Sequence, residues 1–207
     1  MTTDRVEAFS DGVFAIAITL LVLDIAVPRP RSGRLAHALA AQWPTYLAYA
    51  VSFFIIGIIW VNHHAVFTAL DRADRALLMI NLLLLAWVVL IPWPTSLIAH
   101  YMTEGGADER VAALVYAGTM AGMGVSFSAL WVYATRHRRL VAAWLSDEQI
   151  RTRTARFVVG APLYLIAMAA SSIAAVMSVA IIGVLAVYYA LTAGGAALHP
   201  SEAEGDG

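Results

Sequence analysis

Long apolar runs separated by short polar breaks dominate this chain. The runs cover residues 9–27, 44–67, 76–98, 111–134, 157–171 and 174–193. A helix needs ~20 apolar residues to cross a hydrocarbon core of ~30 Å, so each run reads as one span. A membrane barrel would show alternating segments of ~10 residues, and none occurs. The pattern predicts an all-α integral membrane protein with six transmembrane helices.

The breaks refine this. The first run stops at Pro28-Arg29-Pro30, and residues 32–43 are too short and polar to span, so they read as an interfacial helix or a loop. Residues 71–75 form a short charged turn. Pro92 and Pro94 interrupt the third span, and an acidic loop occupies 104–109. The main polar segment is 136–156, and the last two spans form a hairpin turning near Ser171-Ser172. Residues 1–194 read as one transmembrane domain and 195–207 as a disordered acidic tail. No second domain and no internal repeat is visible.

Composition agrees: 61% of the 207 residues are hydrophobic and 13% charged, against ~25% charged in soluble domains. There is no cysteine, which excludes disulfides and thiolate metal sites. All 13 basic residues are arginine, and the net charge of -1 points to no nucleic-acid partner. The arginines are asymmetric. With the N-terminus in the cytoplasm, nine lie inside (Arg5, Arg72, Arg75 and six within 136–156) and four outside (Arg29, Arg31, Arg34, Arg110). The positive-inside rule therefore predicts a multi-pass cell-membrane protein with a cytoplasmic N-terminus.

Four groups of residues are candidates for chemistry. Arg5, Ser10 and Asp11 open the first span. Charge near a bilayer is costly and marks a function or a buried pair, although Arg5 and Asp11 could equally anchor a helix end at the headgroups. Ile16, Leu20 and Leu23 share one face at i, i+4, i+7 spacing, with Thr19 beside them and Asp24 at the end; such stripes are usually packing or lipid contacts. Trp60, Asn62, His63 and His64 lie near the cytoplasmic end of the second span. Adjacent histidines point ~100° apart on a helix and chelate one ion poorly, so a hydrogen-bond network joining one of them to Asp11 is preferred over zinc. Arg5, six residues before Asp11, is poorly placed to pair with it within one helix. Asn81, Trp87 and Trp93 mark the third span, and Gly118, Gly122 and Gly124 allow close packing of the fourth. Gly12, Ala15 and Ala17 could do the same for the first. There is no phosphate loop, nucleophile elbow or HExxH metal motif, so no cofactor and no enzyme activity are expected. The TVGYG filter is absent too.

Arg5-x-x-x-Phe9-Ser10-Asp11, continued by Gly12-Val13-Phe14-Ala15-Ile16-Ala17-Ile18-Thr19-Leu20, resembles the signature opening of the transmembrane protein 175 family. The run Trp60-Val61-Asn62-His63-His64 is similar to the family pattern as well. These are lysosomal potassium channels of animals and their single-repeat prokaryotic relatives. The resemblance implies a homotetramer with the first helix of each subunit lining a central pore permeable to K+ and other monovalent cations. It implies that Ile16 forms the narrowest constriction, with Leu20 and Leu23 as further layers and Thr19 behind or between them. Arg5, Ser10 and Asp11 would hold the His/Trp cluster rather than touch the ion. Asp24 would stand at the outer mouth, either in a ring of four carboxylates or paired with Arg29 or Arg31. The alternative is a small secondary transporter, although the paired repeats usual in that class are missing.

Overall fold

The computed structural model describes residues 3–29, 32–170 and 181–188. Seven α-helices follow one another: α1 (Thr3–Leu20), α2 (Leu35–Ala41), α3 (Trp43–Phe67), α4 (Arg75–Leu90), α5 (Pro92–Tyr101), α6 (Gly106–Arg136) and α7 (Asp147–Ala170). Residues 181–188 are helical as well. Among the described residues four stretches are long and apolar enough to cross a membrane: Thr3–Asp24, Trp43–Phe67, Arg75–Tyr101 and Gly106–Arg136. The expected hairpin at Ser171-Ser172, most of the sixth run and the whole tail fall outside the described residues.

Local chemistry sets the helix ends. The first helix is already formed at Thr3, six residues before the apolar run, and Asp4 near its start complements the helix dipole. It tightens into a 3-10 turn over Leu21–Asp24. The segment 32–43 contains the short helix α2, and Pro44 sits in the first turn of α3, where its missing N–H costs nothing. Two glycines with positive φ, Gly105 at 71° and Gly106 at 83°, turn the chain into α6, and Asp108 and Glu109 charge its first turn. Part of the expected acidic loop is therefore helix.

The third span is broken where the prolines stand. Pro92 has no N–H for the Val88 carbonyl, and the Ile91 amide takes that carbonyl at 3.2 Å instead. The freed region is stitched by a buried relay of hydroxyls. Ser52 on α3 lies 2.7 Å from the Thr95 hydroxyl and 3.1 Å from the Tyr116 hydroxyl, and Thr95 donates to the Ile91 carbonyl at 2.8 Å. Three helices are thus joined at the break with their buried polar groups satisfied.

Helix α6 lies at the centre, against α4, α5 and α7, while α1 lies against α3 and α4. Trp131, Met120 and Leu130 of α6 are fully buried. Gly122 lets the Trp87 indole lie flat on α6: a Cβ there would come within 2.6 Å of two indole carbons. Alanine would gain up to ~1 kcal/mol of helix propensity, but overpacking costs about 1–3 kcal/mol. Gly122→Ala should therefore lower the melting temperature in detergent. Adding Trp87→Ala should make the double variant more stable than the sum of the two single losses; simple additivity would show that the indole does not oppose the methyl.

At one end of the bundle the α3–α4 and α6–α7 connections are stapled. Leu70 and Val141 form an antiparallel bridge. The Asp71 amide donates to the Leu140 carbonyl and the Ala142 amide to the Ala69 carbonyl, each at 3.0 Å. Asp74 caps α4, accepting from the Leu77 amide at 3.0 Å, from the Tyr133 hydroxyl at 3.0 Å and from Arg139 at 3.2 Å. The Leu77 amide first, then Tyr133 and Arg139, hold the Asp74 carboxyl below its ordinary 3.8. A carboxyl depressed in the folded state stabilises above its unfolded pKa and stops doing so as pH falls through the folded value. Asp74→Ala should cost about 1 kcal/mol at neutral pH. The difference from wild type should shrink as melting is followed from about pH 5 to below about pH 3. A difference unchanged by acid would mean that the carboxylate is not the group at work.

Candidate functional site

The first helix has two contrasting faces. Val6, Ser10, Phe14 and Ala17 are buried against the rest of the subunit. On the other side Phe9, Ile16, Leu20 and Leu23 are 56, 59, 38 and 74% exposed. The α-helical part sets Ile16 and Leu20 one turn apart. In a 3-10 turn residues i and i+3 eclipse, so Leu23 stands nearly in line with Leu20. Thr19 shares the exposed side, but its hydroxyl donates to the Ile16 carbonyl at 2.9 Å. Asp24 is half-buried at the end of the 3-10 turn, and just beyond it the Gln42 amide donates to the Ala26 carbonyl at 3.1 Å. Gly12 and Ala15 are exposed. Ala17 is fully buried, so it serves packing inside the subunit and is not free for a neighbouring copy.

A polar clamp holds the inner face. Ser10 donates to the Val6 carbonyl at 2.8 Å and accepts from the Asn81 amide at 3.0 Å. The Asn81 oxygen then faces His63 Nε2 at 2.9 Å. Because Asn81 spends its N–H on Ser10, its oxygen must accept, so His63 carries its proton on Nε2. The ring is fully buried. It stacks on Phe67 with centroids 4.4 Å apart and meets Phe14 edge-on at 5.3 Å. Among the described residues, His63 Nδ1 is buried without a hydrogen-bond partner.

Two further ties join α1 to α3. The Trp60 indole N–H donates to Asp11 Oδ1 at 2.8 Å, and His64 Nδ1 pairs with Glu7. The expectation that a histidine partners Asp11 is therefore corrected: Trp60 does, and the histidines go to Asn81 and Glu7. The geometry explains the exchange. His64 lies one helical turn past Trp60 on α3, and Glu7 one turn before Asp11 on the antiparallel α1, so each acid meets the α3 side chain at its own level. Asn62 points elsewhere, donating to the Ile58 carbonyl at 2.8 Å. Arg5 is exposed at the start of α1. Reasoning from the sequence missed Glu7 and the bridging role of Asn81. The i, i+4 spacing of Glu7 and Asp11 against that of Trp60 and His64 was the available signal.

Among the described residues no group of three His, Cys, Asp or Glu side chains is arranged to hold a metal ion. The arrangement is a hydrogen-bonded inner face on α1 backing an apolar outer face.

Comparison with known proteins places this architecture. The family model described as "Endosomal/lysosomal potassium channel TMEM175" matches residues 5–92. A potassium channel of Streptomyces collinus (strain DSM 40733 / Tue 365) is 49% identical over 186 residues, covering 89% of this chain and 90% of that one. A potassium channel of Chamaesiphon minutus (strain ATCC 27169 / PCC 6605) is 44% identical over 192 residues, covering 91% and 94%. The crystal structure of a lysosomal potassium-selective channel TMEM175 homolog from Chamaesiphon minutus superposes with a TM-score of 0.83 at 42% identity, covering 92% of this chain and 97% of that one. This is a membrane protein of the ion-channel class rather than an enzyme. The chain belongs to the TMEM175 family.

Proposed function

We propose that four copies of this chain assemble around their α1 helices and conduct K+ passively across the cell membrane, with the N-terminus in the cytoplasm. The observation that carries this reading is the division of α1: Glu7, Ser10 and Asp11 are bonded inside the subunit, while Ile16, Leu20 and Leu23 are left uncovered along one line. A line of aliphatic side chains repeated about a four-fold axis makes stacked apolar rings. Such rings carry no oxygen ligands to replace hydration water. They limit flux by width and by the cost of dehydration, which favours the more weakly hydrated K+ over Na+. The relatives named as potassium channels support K+ as the permeant ion. In this reading α7 and the helix containing 181–188 add a fifth and a sixth crossing to the four apolar stretches. Asp24 stands at the outer mouth, where four carboxylates would raise the local cation concentration.

Mass measurement in mild detergent should give a four-chain particle. The same preparation in liposomes should pass K+ down its own gradient with no second ion supplied. A conducting monomer would overturn the assembly. Flux that requires a co-ion gradient would replace the channel with a transporter.

A further inference from the structure

Between α1 and α3 runs a groove of about 360 Å³. Asp11 and Trp60 stand at one end of it, Ala15 and Gly57 in the middle, and Ile18 and Ile56 at the other end. From Asp11 to Ile18 is about 10 Å along the helix. Small residues give the groove its depth: Gly57 has no side chain, and a Cβ built on it would meet nothing within 4 Å. Ala15 and Ile18 lie about 100–160° around α1 from Ile16, so the groove is separate from the exposed aliphatic line.

The polar end of the groove is electrically unbalanced. Asp11 is half-buried and accepts the Trp60 indole N–H through Oδ1 at 2.8 Å. Among the described residues Oδ2 accepts no hydrogen bond, and no arginine or histidine makes an ion pair with this carboxylate. Glu7, one turn earlier, has His64. A carboxylate has about four acceptor positions, and an unpaired one beside lipid is costly. The groove thus offers a negative acceptor near the start of the span and only hydrocarbon further in. An amphiphile in a bilayer is ordered the same way, with its head at the membrane face and its tail inward.

We propose that this groove binds a single-chain lipophilic amine in its protonated form. The ammonium donates to Asp11 Oδ2, and the apolar part lies over Ala15 and Gly57 towards Ile18 and Ile56. The volume falls at the lower end of the range for small-molecule sites, about 300–1,000 Å³. Charge complementarity selects the occupant: an N⁺–H···O⁻ bond is about twice as strong as a neutral one, and an anionic amphiphile would be repelled. Phosphatidylethanolamine also carries an ammonium, but it would bring its phosphate against the same carboxylate. The proposal concerns binding alone and stands whether or not α1 lines a pore.

The test is isothermal titration calorimetry of the full chain in mild detergent. Phenylbutylamine, an ammonium at neutral pH, is the probe, and protein-free micelles are the blank. The amine should bind about tenfold more tightly than phenylbutanol, its neutral analogue. Asp11→Asn keeps an oxygen for the Trp60 N–H and should erase that difference. Gly57→Leu fills the groove without touching the carboxylate and should weaken amine binding about tenfold. Gly183→Leu, on the helix containing 181–188, also enters open space and should leave binding unchanged. Melting in the same detergent checks that each variant is folded. Equal affinity of wild type for amine and alcohol would overturn the site, as would amine binding untouched by Gly57→Leu. Absent amine binding, together with loss of assembly in Gly57→Leu, would give the groove to a second copy and overturn it too. Displacement of the amine by an equal concentration of phosphatidylethanolamine would give it to lipid, with the same consequence.

Discussion

Replacing Ile16 by asparagine is expected to raise K+ flux by about tenfold, equivalent to removing about 1.4 kcal/mol from the barrier, and to bring the K+ and Na+ fluxes close together. Isoleucine is stiff at χ1, so four copies would give an apolar ring of fixed width. Asparagine has similar length but carries a carbonyl and an amide, which can stand in for the hydration water an ion must shed. The barrier falls for both ions, and it falls further for the one that holds its water more tightly, so selectivity erodes. Ile18 supplies the control. It sits two residues on, ~200° around the helix, half-buried against the core rather than on the exposed line. Ile18→Asn should disturb packing without raising flux. If it raised flux while Ile16→Asn changed nothing, the conducting face would have to be moved to the other side of α1.

The second large effect is expected at Asn81, whose amide holds Ser10 of α1 and His63 of α3 at once. Asn81→Leu keeps the volume and removes both bonds. A single interhelical hydrogen bond within a membrane averages only ~0.6 kcal/mol. Here, however, a buried donor would lose its partner, which costs about 1–3 kcal/mol, on a ring whose Nδ1 already lacks one. The net loss should be about 2 kcal/mol, read as a lower melting temperature in detergent. Adding His63→Phe should recover most of it, because a phenyl ring can stack on Phe67 and meet Phe14 as the imidazole does while leaving no polar atom behind. A double variant no more stable than Asn81→Leu would show that the stranded histidine is not the source of the cost.

The helical architecture was legible because lipid as solvent demands uninterrupted apolar runs, and four of them appear as helices close to the expected places. The start of α1 was not. Asp4 and Glu7 lie before the apolar run and were given no role, whereas one charges a helix terminus and the other meets His64. Partner choice was legible only in part. Asp11 needed a hydrogen-bond donor near the cytoplasmic end, and the histidines were the conspicuous ones. Trp60 was singled out in the same group, but an indole near a membrane face needs no protein partner, so the donor role went to a histidine. Asn81 was noticed as a polar residue in a span, but a lone asparagine does not disclose that it bridges two other helices. Ala17 looked interchangeable with Gly12 and Ala15 because small residues carry no directional signal of their own. Only the register of α1 against α3 and α4 separates them.

The polar clamp fixes α1 by side-chain bonds near its start, whereas farther out the helix is held by apolar packing through Ala17 and Leu21, which yields more readily to a small tilt. Glu7, Ser10 and Asp11, the residues that bind it side chain to side chain, lie within its first three turns, while the apolar line runs outward from Ile16 to Leu23. With Asp11 as the fulcrum, Ile16 lies about 7.5 Å along the arm and Leu23 about 18 Å. A tilt of about 5° would carry Leu23 sideways by about 1.6 Å but Ile16 by only about 0.7 Å. In the proposed pore the ring at Ile16 would thus be the stiffer aperture, its width set by side-chain volume, and the ring at Leu23 the more compliant one, its width following small changes in the angle of the helix.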